Sequence, residues 1–167
     1  MAVRQIRVFP DPVLREKAKR VVAVDDSVRQ LVGDMVDTMR AAPGVGLAAP
    51  QVGVPLRVIV VDVPEKGVLA LVNPQVQRKG GEQVCEEGCL SIPGYKGELK
   101  RCAWIRVRGL DVEGKEVRVK GEKLLAQILE HEIDHLNGIL YIDRLESRDK
   151  LLPVSQEAAA EPEDGAS

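Results

Sequence analysis

The sequence predicts an α+β fold in which mixed, largely antiparallel sheets pack around a central C-terminal helix. Three observations predict it. Apolar residues recur at helical spacing twice, early at Val28, Leu31, Val32, Met35 and Met39, and late at Leu124, Leu125, Ile128, Leu129 and Leu136. Between these helices the chain reads as short strands punctuated by Gly and Pro. The late helix carries His131-Glu132-Ile133-Asp134-His135 within a broad apolar face, which places it inside the strands.

At 167 residues, 44% of them apolar and 30% charged, the chain has the length and composition of one globular domain. We draw that domain over residues 1–152 and read 153–167, rich in Ala, Glu and Pro, as an acidic flexible tail. Aromatic residues make up only 2%, so Val, Leu, Ile and Ala must fill the core. The net charge is −2, and the tail acids Glu157, Glu161, Glu163 and Asp164 contribute −4 of it, leaving the rest at +2. This near-neutral balance argues against direct nucleic-acid binding. No run of 18 apolar residues is present, which argues against a membrane span, and the first ten residues lack an apolar signal core, so a cytoplasmic location is expected. Three cysteines, an odd count, argue against a disulfide framework and raise the question of whether one thiol is a ligand.

In chain order, residues 1–10 read as an extended arm ending in a turn at Pro10-Asp11-Pro12, and Val13 to Arg20 as a short basic helix with Leu14 and Ala18 inward. Asp25, Asp26 and Ser27 form a helix start, and the apolar stripe carries that helix to about Arg40. Residues 41–55 hold three Gly and three Pro, so they read as a loop of bare backbone. Arg57 to Val63 is nearly all apolar, the signature of a strand buried on both faces, and Val68 to Asn73 is its antiparallel partner, ending at Asn73-Pro74. Gly80-Gly81 between Gln75–Lys79 and Glu82–Cys85 predicts a hairpin, and Glu113-Gly114 between Ala103–Leu110 and Glu116–Lys120 a second. The late helix runs from about Glu122 to Asn137, after which 139–152 pack back as a short strand and a helical turn.

Histidines at i and i+4 share one helix face, so His131 and His135, the only two in the chain, can reach one metal ion. Glu132 between them is placed to take a proton from water at that ion. An open catalytic site wants a third protein ligand. A third His six residues beyond His135 is absent, since Tyr141 stands there, and Glu146 lies in a charged run that reads as solvent-facing. Cysteine remains. Cys89 sits in the Gly- and Pro-punctuated segment 86–94, whereas Cys85 and Cys102 read as small buried hydrophobes. The reading is a His₂Cys site with one open position.

At this point the chain resembles the peptide deformylases. The resemblance rests on Gly44-Val45-Gly46-Leu47-Ala48-Ala49-Pro50-Gln51, on Glu87-Gly88-Cys89-Leu90-Ser91 and on the His131–His135 motif, in that order, with Pro10-Asp11-Pro12-Val13-Leu14-Arg15 also similar. It implies hydrolysis of the N-formyl group from the starting methionine of new polypeptides, releasing formate. It also implies a mixed sheet around the motif helix. Cys89, His131 and His135 would hold one divalent metal, and Glu132 would move the proton. The Gln51 amide and the Leu90 backbone N–H would steady the charge on the formyl oxygen. Ligand type alone suits zinc; the resemblance implies Fe(II) in the cell, with zinc, nickel or cobalt able to take its place in a crystal. Within that scheme Gly44 and Gly46 leave room for an extended peptide. Val45, Leu124, Gln127 and Ile128 line a slot for methionine, and Glu87 pairs with Arg101 to set the Cys89 loop. The expected partner is a formyl-Met nascent polypeptide, met transiently at the ribosome.

Overall fold

A computed structural model describes residues 2–63, 65–147 and 151–154. Helix α1 spans Asp26–Ala41 and starts on Asp25, whose carboxylate accepts from the Val28 N–H at 3.1 Å. The strands are β1 (Gly46–Ala48), β2 (Val58–Val63), β3 (Gly67–Gly80), β4 (Gln83–Cys89), β5 (Ile92–Arg101), β6 (Trp104–Leu110), β7 (Glu116–Glu122) and β8 (Leu151–Pro153), and helix α2 spans Leu124–Leu136. Five strands form one sheet in the order β1-β2-β3-β6-β7, and β4-β5-β8 form a second. Every pairing between these strands is antiparallel; a parallel bridge joins Lys19 to Leu56.

Helix α2 is the element around which both sheets are built. Its apolar side (Ala126, Ile128, Leu129, Ile133, Leu136) packs on Ile59, Val61, Ile105 and Val107 of the larger sheet. Its polar side carries Glu130, His131, Asp134 and His135, all buried, toward the smaller sheet. The opposite face of the larger sheet is covered by α1 through Val28, Leu31, Met35 and Met39 against Val58, Val60 and Val72. Strand β2 is therefore buried on both faces, as its unbroken apolar run requires. Among the described residues no helix is long and apolar enough to cross a membrane.

Several local expectations change. The basic helix over 13–20 shrinks to one 3-10 turn, Pro12–Arg15. Leu14 and Ala18 do point inward, but Lys19 bonds across to Pro55 and Arg57 instead of back along a helix. The 41–55 loop contains β1 and a 3-10 turn, Ala49–Val52. Strand β3 does not stop at Asn73-Pro74. A register shift there takes Pro74, which has no N–H, out of the ladder, and the strand resumes at Gln75. Asn73, at φ +52°, is held by paired hydrogen bonds with the Val21 backbone. The hairpin expected at Gly80-Gly81 is absent: β3 pairs with β6 and β4 with β5, and the two glycines carry the chain from one sheet to the other. The second hairpin, β6–β7, is present, with Leu110 opposite Glu116 beside its turn. Strand β5 was not foreseen, because its inward positions include Gly97 and Arg101 and so give no apolar alternation. After α2 come a 3-10 turn, Tyr141–Arg144, and β8. Residues 155–167 of the expected tail lie outside the described residues.

Candidate metal centre

One turn of α2 places His131 and His135 on the same side, with their Nε2 atoms 3.2 Å apart and ring planes at 70°. The tight turn between β4 and β5 supplies the third group. A register shift between Glu87 and Cys89 re-aims the strand end, and the Cys89 Sγ lies 3.3 Å from His135 Nε2. All three ligand atoms fall within 4.8 Å of one another. Two nitrogens bound at 2.0–2.1 Å to a tetrahedral ion lie about 3.3 Å apart, so the observed spacing and the soft thiol–imidazole donor set fit a transition-metal ion.

The surrounding groups fix these donors. His131 Nδ1 meets Glu87 Oε1 at 2.7 Å, which leaves Nε2 facing the convergence point. Glu87 is itself held by Arg101, at 2.6 Å from Nε and 2.8 Å from Nη2, as the sequence suggested. Arg101 also donates to Asp134 at 2.8 Å, and Asp134 accepts two further bonds from Arg144. Burial pushes the Glu87 carboxyl up, but the Arg101 and His131 hydrogen bonds outweigh it and hold the group down at about 2. Glu132 is the reverse case. Burial, reinforced by Glu87 and Asp134 and opposed by His131 and Arg101, pushes its carboxyl up to about 7. Its Oε1 is buried without a hydrogen-bond partner among the described residues, and its Oε2 lies 4.0 Å from His131 Nε2. A carboxyl poised near neutrality, with one free oxygen beside the convergence point, is suited to passing a proton.

Gln51 sits on the 3-10 turn after β1. Its Oε1 accepts from the Ala48 N–H at 2.9 Å, and its Nε2 donates to Ser91 Oγ at 3.1 Å and approaches Cys89 Sγ at 3.6 Å. The N-terminal arm ties these two segments together, with the Arg7 N–H on Gln51 O and the Phe9 N–H on Ser91 O. A cleft of about 640 Å³ opens over the centre, lined by every sequence-predicted site residue except His135, which lies behind it. Leu124 and Val45 line that cleft from its rim, 45% and 52% exposed, so the burial expected for Leu124 does not hold: α2 begins at the surface. The glycines also serve packing. A Cβ at Gly46 would stand 2.5 Å from Glu132 Oε2, and one at Gly44 2.9 Å from Leu90 Cδ1.

Sequence reasoning missed Asp134 and Arg144 as part of the support, and Tyr141, whose ring stacks 6.4 Å from that of His131. An acidic residue inside an otherwise buried helix was the available signal for Asp134.

Residues 3–151 match the family model described as polypeptide deformylase. The chain belongs to that family. Its similarity to curated relatives is spread along the whole fold. It is 53% identical over 152 residues to the peptide deformylase of Dehalococcoides mccartyi (strain CBDB1), covering 90% of this chain and 91% of that protein. It is also 53% identical over 175 residues to that of Thermomicrobium roseum, covering 99% of each. Among solved structures, a peptide deformylase from Legionella pneumophila superposes with a TM-score of 0.86 at 46% identity, over 89% of each chain. One from Synechococcus elongatus, in complex with actinonin, superposes at 0.83 and 44% identity, over 87% of this chain and 80% of that one. Deformylase family membership makes this chain a hydrolase of protein N-terminal processing with a metal-dependent site.

Proposed function

We propose that this chain removes the N-formyl group from the N-terminal formylmethionine of newly made polypeptides, releasing formate. The observation that carries the reading is the convergence of Cys89, His131 and His135 beside the free oxygen of Glu132. Cys89, His131 and His135 would hold one divalent ion, Fe(II) in the cell by resemblance to the family. Bound there, the ion supplies Lewis acidity and draws the pKa of a water molecule toward neutrality. Glu132 accepts a proton from the attacking water as the water oxygen adds to the formyl carbon. Negative charge then grows on the formyl oxygen, where the Gln51 Nε2–H and the Leu90 N–H donate to it. The C–N bond breaks, and Glu132 returns the proton to the departing amine.

Binding follows from the sheet edge. β1 pairs with β2 on one side only, so its other edge can take an extended peptide as an added strand along Gly44, Val45 and Gly46. Val45, Leu124 and Ile128 supply the apolar side of the slot for methionine, and Gln127 lines it beside them. The catalytic domain runs to Val154 and not only to the expected residue 152, because Pro153 pairs with Tyr95 on β5 and Val154 lines the cleft; the enzyme works in the cytoplasm, meeting its substrate transiently at the ribosome. The test is formate release from a formyl-Met tripeptide by metal-loaded protein in reducing buffer. Release is expected from that peptide, and internal cleavage of an unformylated peptide instead would point to an endopeptidase.

A further inference from the structure

The face of the larger sheet that α1 covers at β1 and β2 is open at β6 and β7, and it is strongly cationic there. Arg78 on β3 stands opposite Arg106 on β6, which stands opposite Lys120 on β7. One row further, Arg108 stands opposite Arg118, with Gln75 beyond. Like charges directly opposite each other destabilise a sheet, and neighbouring strands lie only about 4.8 Å apart. Two acids flank the rows. Glu116 pairs with Arg118 at 3.2 Å and reaches Arg108 at 4.0 Å, while Glu122 lies opposite Trp104. Among the described residues, no carboxylate lies within ion-pair distance of Arg78, Arg106 or Lys120. The overall charge of −2 hides this segregation.

Two further features adjoin the rows. A cleft of about 420 Å³ at the Arg108 end adds Arg20 and Arg57. Among the described residues, the Arg57 guanidinium donates only to neutral oxygens, those of Ala18, Leu136 and the Asn137 side chain. At the other end lies the chain's one tryptophan. The Trp104 indole covers Gly80, where a Cβ would meet it at 2.7 Å, and the Arg106 guanidinium sits 5.9 Å from its ring.

We propose that this face binds single-stranded RNA, with the cation rows on successive phosphates and the Trp104 indole stacking on a base. Charge complementarity requires a polyanion, and a flat aromatic beside a basic track is the arrangement that accepts unpaired bases. A membrane surface fits less well, because none of the exposed large hydrophobic residues lies on β3, β6 or β7. The choice of RNA over DNA rests on the proposed function, since new polypeptides emerge beside RNA; the cationic face does not depend on it.

The test titrates a labelled single-stranded RNA of about 12 nucleotides into the full chain at about 50 mM salt, following anisotropy and the Trp104 emission. Binding is expected with a change in that emission and a fall of log K with log salt of about 0.7 per phosphate contacted. Arg106→Glu with Lys120→Glu should weaken binding about tenfold or more and flatten the slope by about 1.4, while formate release is unchanged. Arg106→Gln with Lys120→Gln repeats the binding measurement without placing two carboxylates opposite each other, and relief of repulsion should raise the melting midpoint of that variant by about 1–3 °C. The proposal is overturned by no binding, by equal binding of parent and variants, by anionic vesicles binding in place of RNA, or by DNA of the same sequence binding as tightly. Loss of formate release with RNA binding intact would instead count against the catalytic reading alone.

Discussion

Replacing Arg101 by Met tests whether the buried ionic support holds the site. The Arg101 side chain is fully buried. It donates twice to Glu87 and once to Asp134, and Glu130 Oε1 lies at 3.7 Å. Met preserves most of the volume and removes the charge. Breaking a buried pair by deleting one partner costs about 3–5 kcal/mol, because the other charge remains buried. Two features place this site at the low end. Asp134 keeps both bonds from Arg144, and Glu87 keeps His131. About 3 kcal/mol corresponds to a fall of roughly 6–12 °C in the melting midpoint for a chain of this size. Circular dichroism melts of the ion-free protein measure it. Glu87 should also orient His131 less well, so ion affinity should drop by about 10–100-fold. Adding Glu87→Gln removes the stranded charge and should recover part of the melting loss. The reasoning fails if Arg101→Met melts within about 2 °C of the parent, or if Arg101→Lys matches the parent, since an ammonium lacks the planar fork that reaches both carboxylates.

Other outcomes follow from the same geometry. Glu132→Gln should retain the ion, read by metal analysis, yet lower turnover by about 10²–10⁴ or more, as loss of the proton carrier predicts. Cys89→Ser should release the ion under mild chelation, whereas Cys102→Ser should not; Cys102 is buried and its thiol is pushed up to about 11 by that burial. Asp34 accepts from Arg4, the Ala2 N–H and Gln30, and the Arg4 hydrogen bond first among these holds its carboxyl below 3.8. A depressed folded-state value means the arm's attachment is complete above about pH 3.8 and is lost as pH falls through that lower value. Hydrogen exchange at residues 2–4 should therefore rise in acid, and Asp34→Asn should remove the pH dependence.

What the sequence determined by itself was chemistry that neighbouring residues carry. His131, Glu132 and His135 lie within one helical turn and a third, so their shared face followed from helix geometry alone. The buried run at β2 and the α1 stripe were legible for the same reason: period and burial are local. Cys89 could be nominated because it alone of the cysteines sits in a turn, and Gln51 and Leu90 through resemblance. Tertiary structure decided the rest. Whether Gly80-Gly81 closes a hairpin or sends the chain to a second sheet depends on which strand waits alongside, and a turn signal carries no partner. The Glu87–Arg101 pair was legible, but that Asp134 and Glu130 of α2 also converge on Arg101 depends on how that helix packs against β5. The cation rows of β3, β6 and β7 are scattered over more than forty positions and become one surface only through strand register.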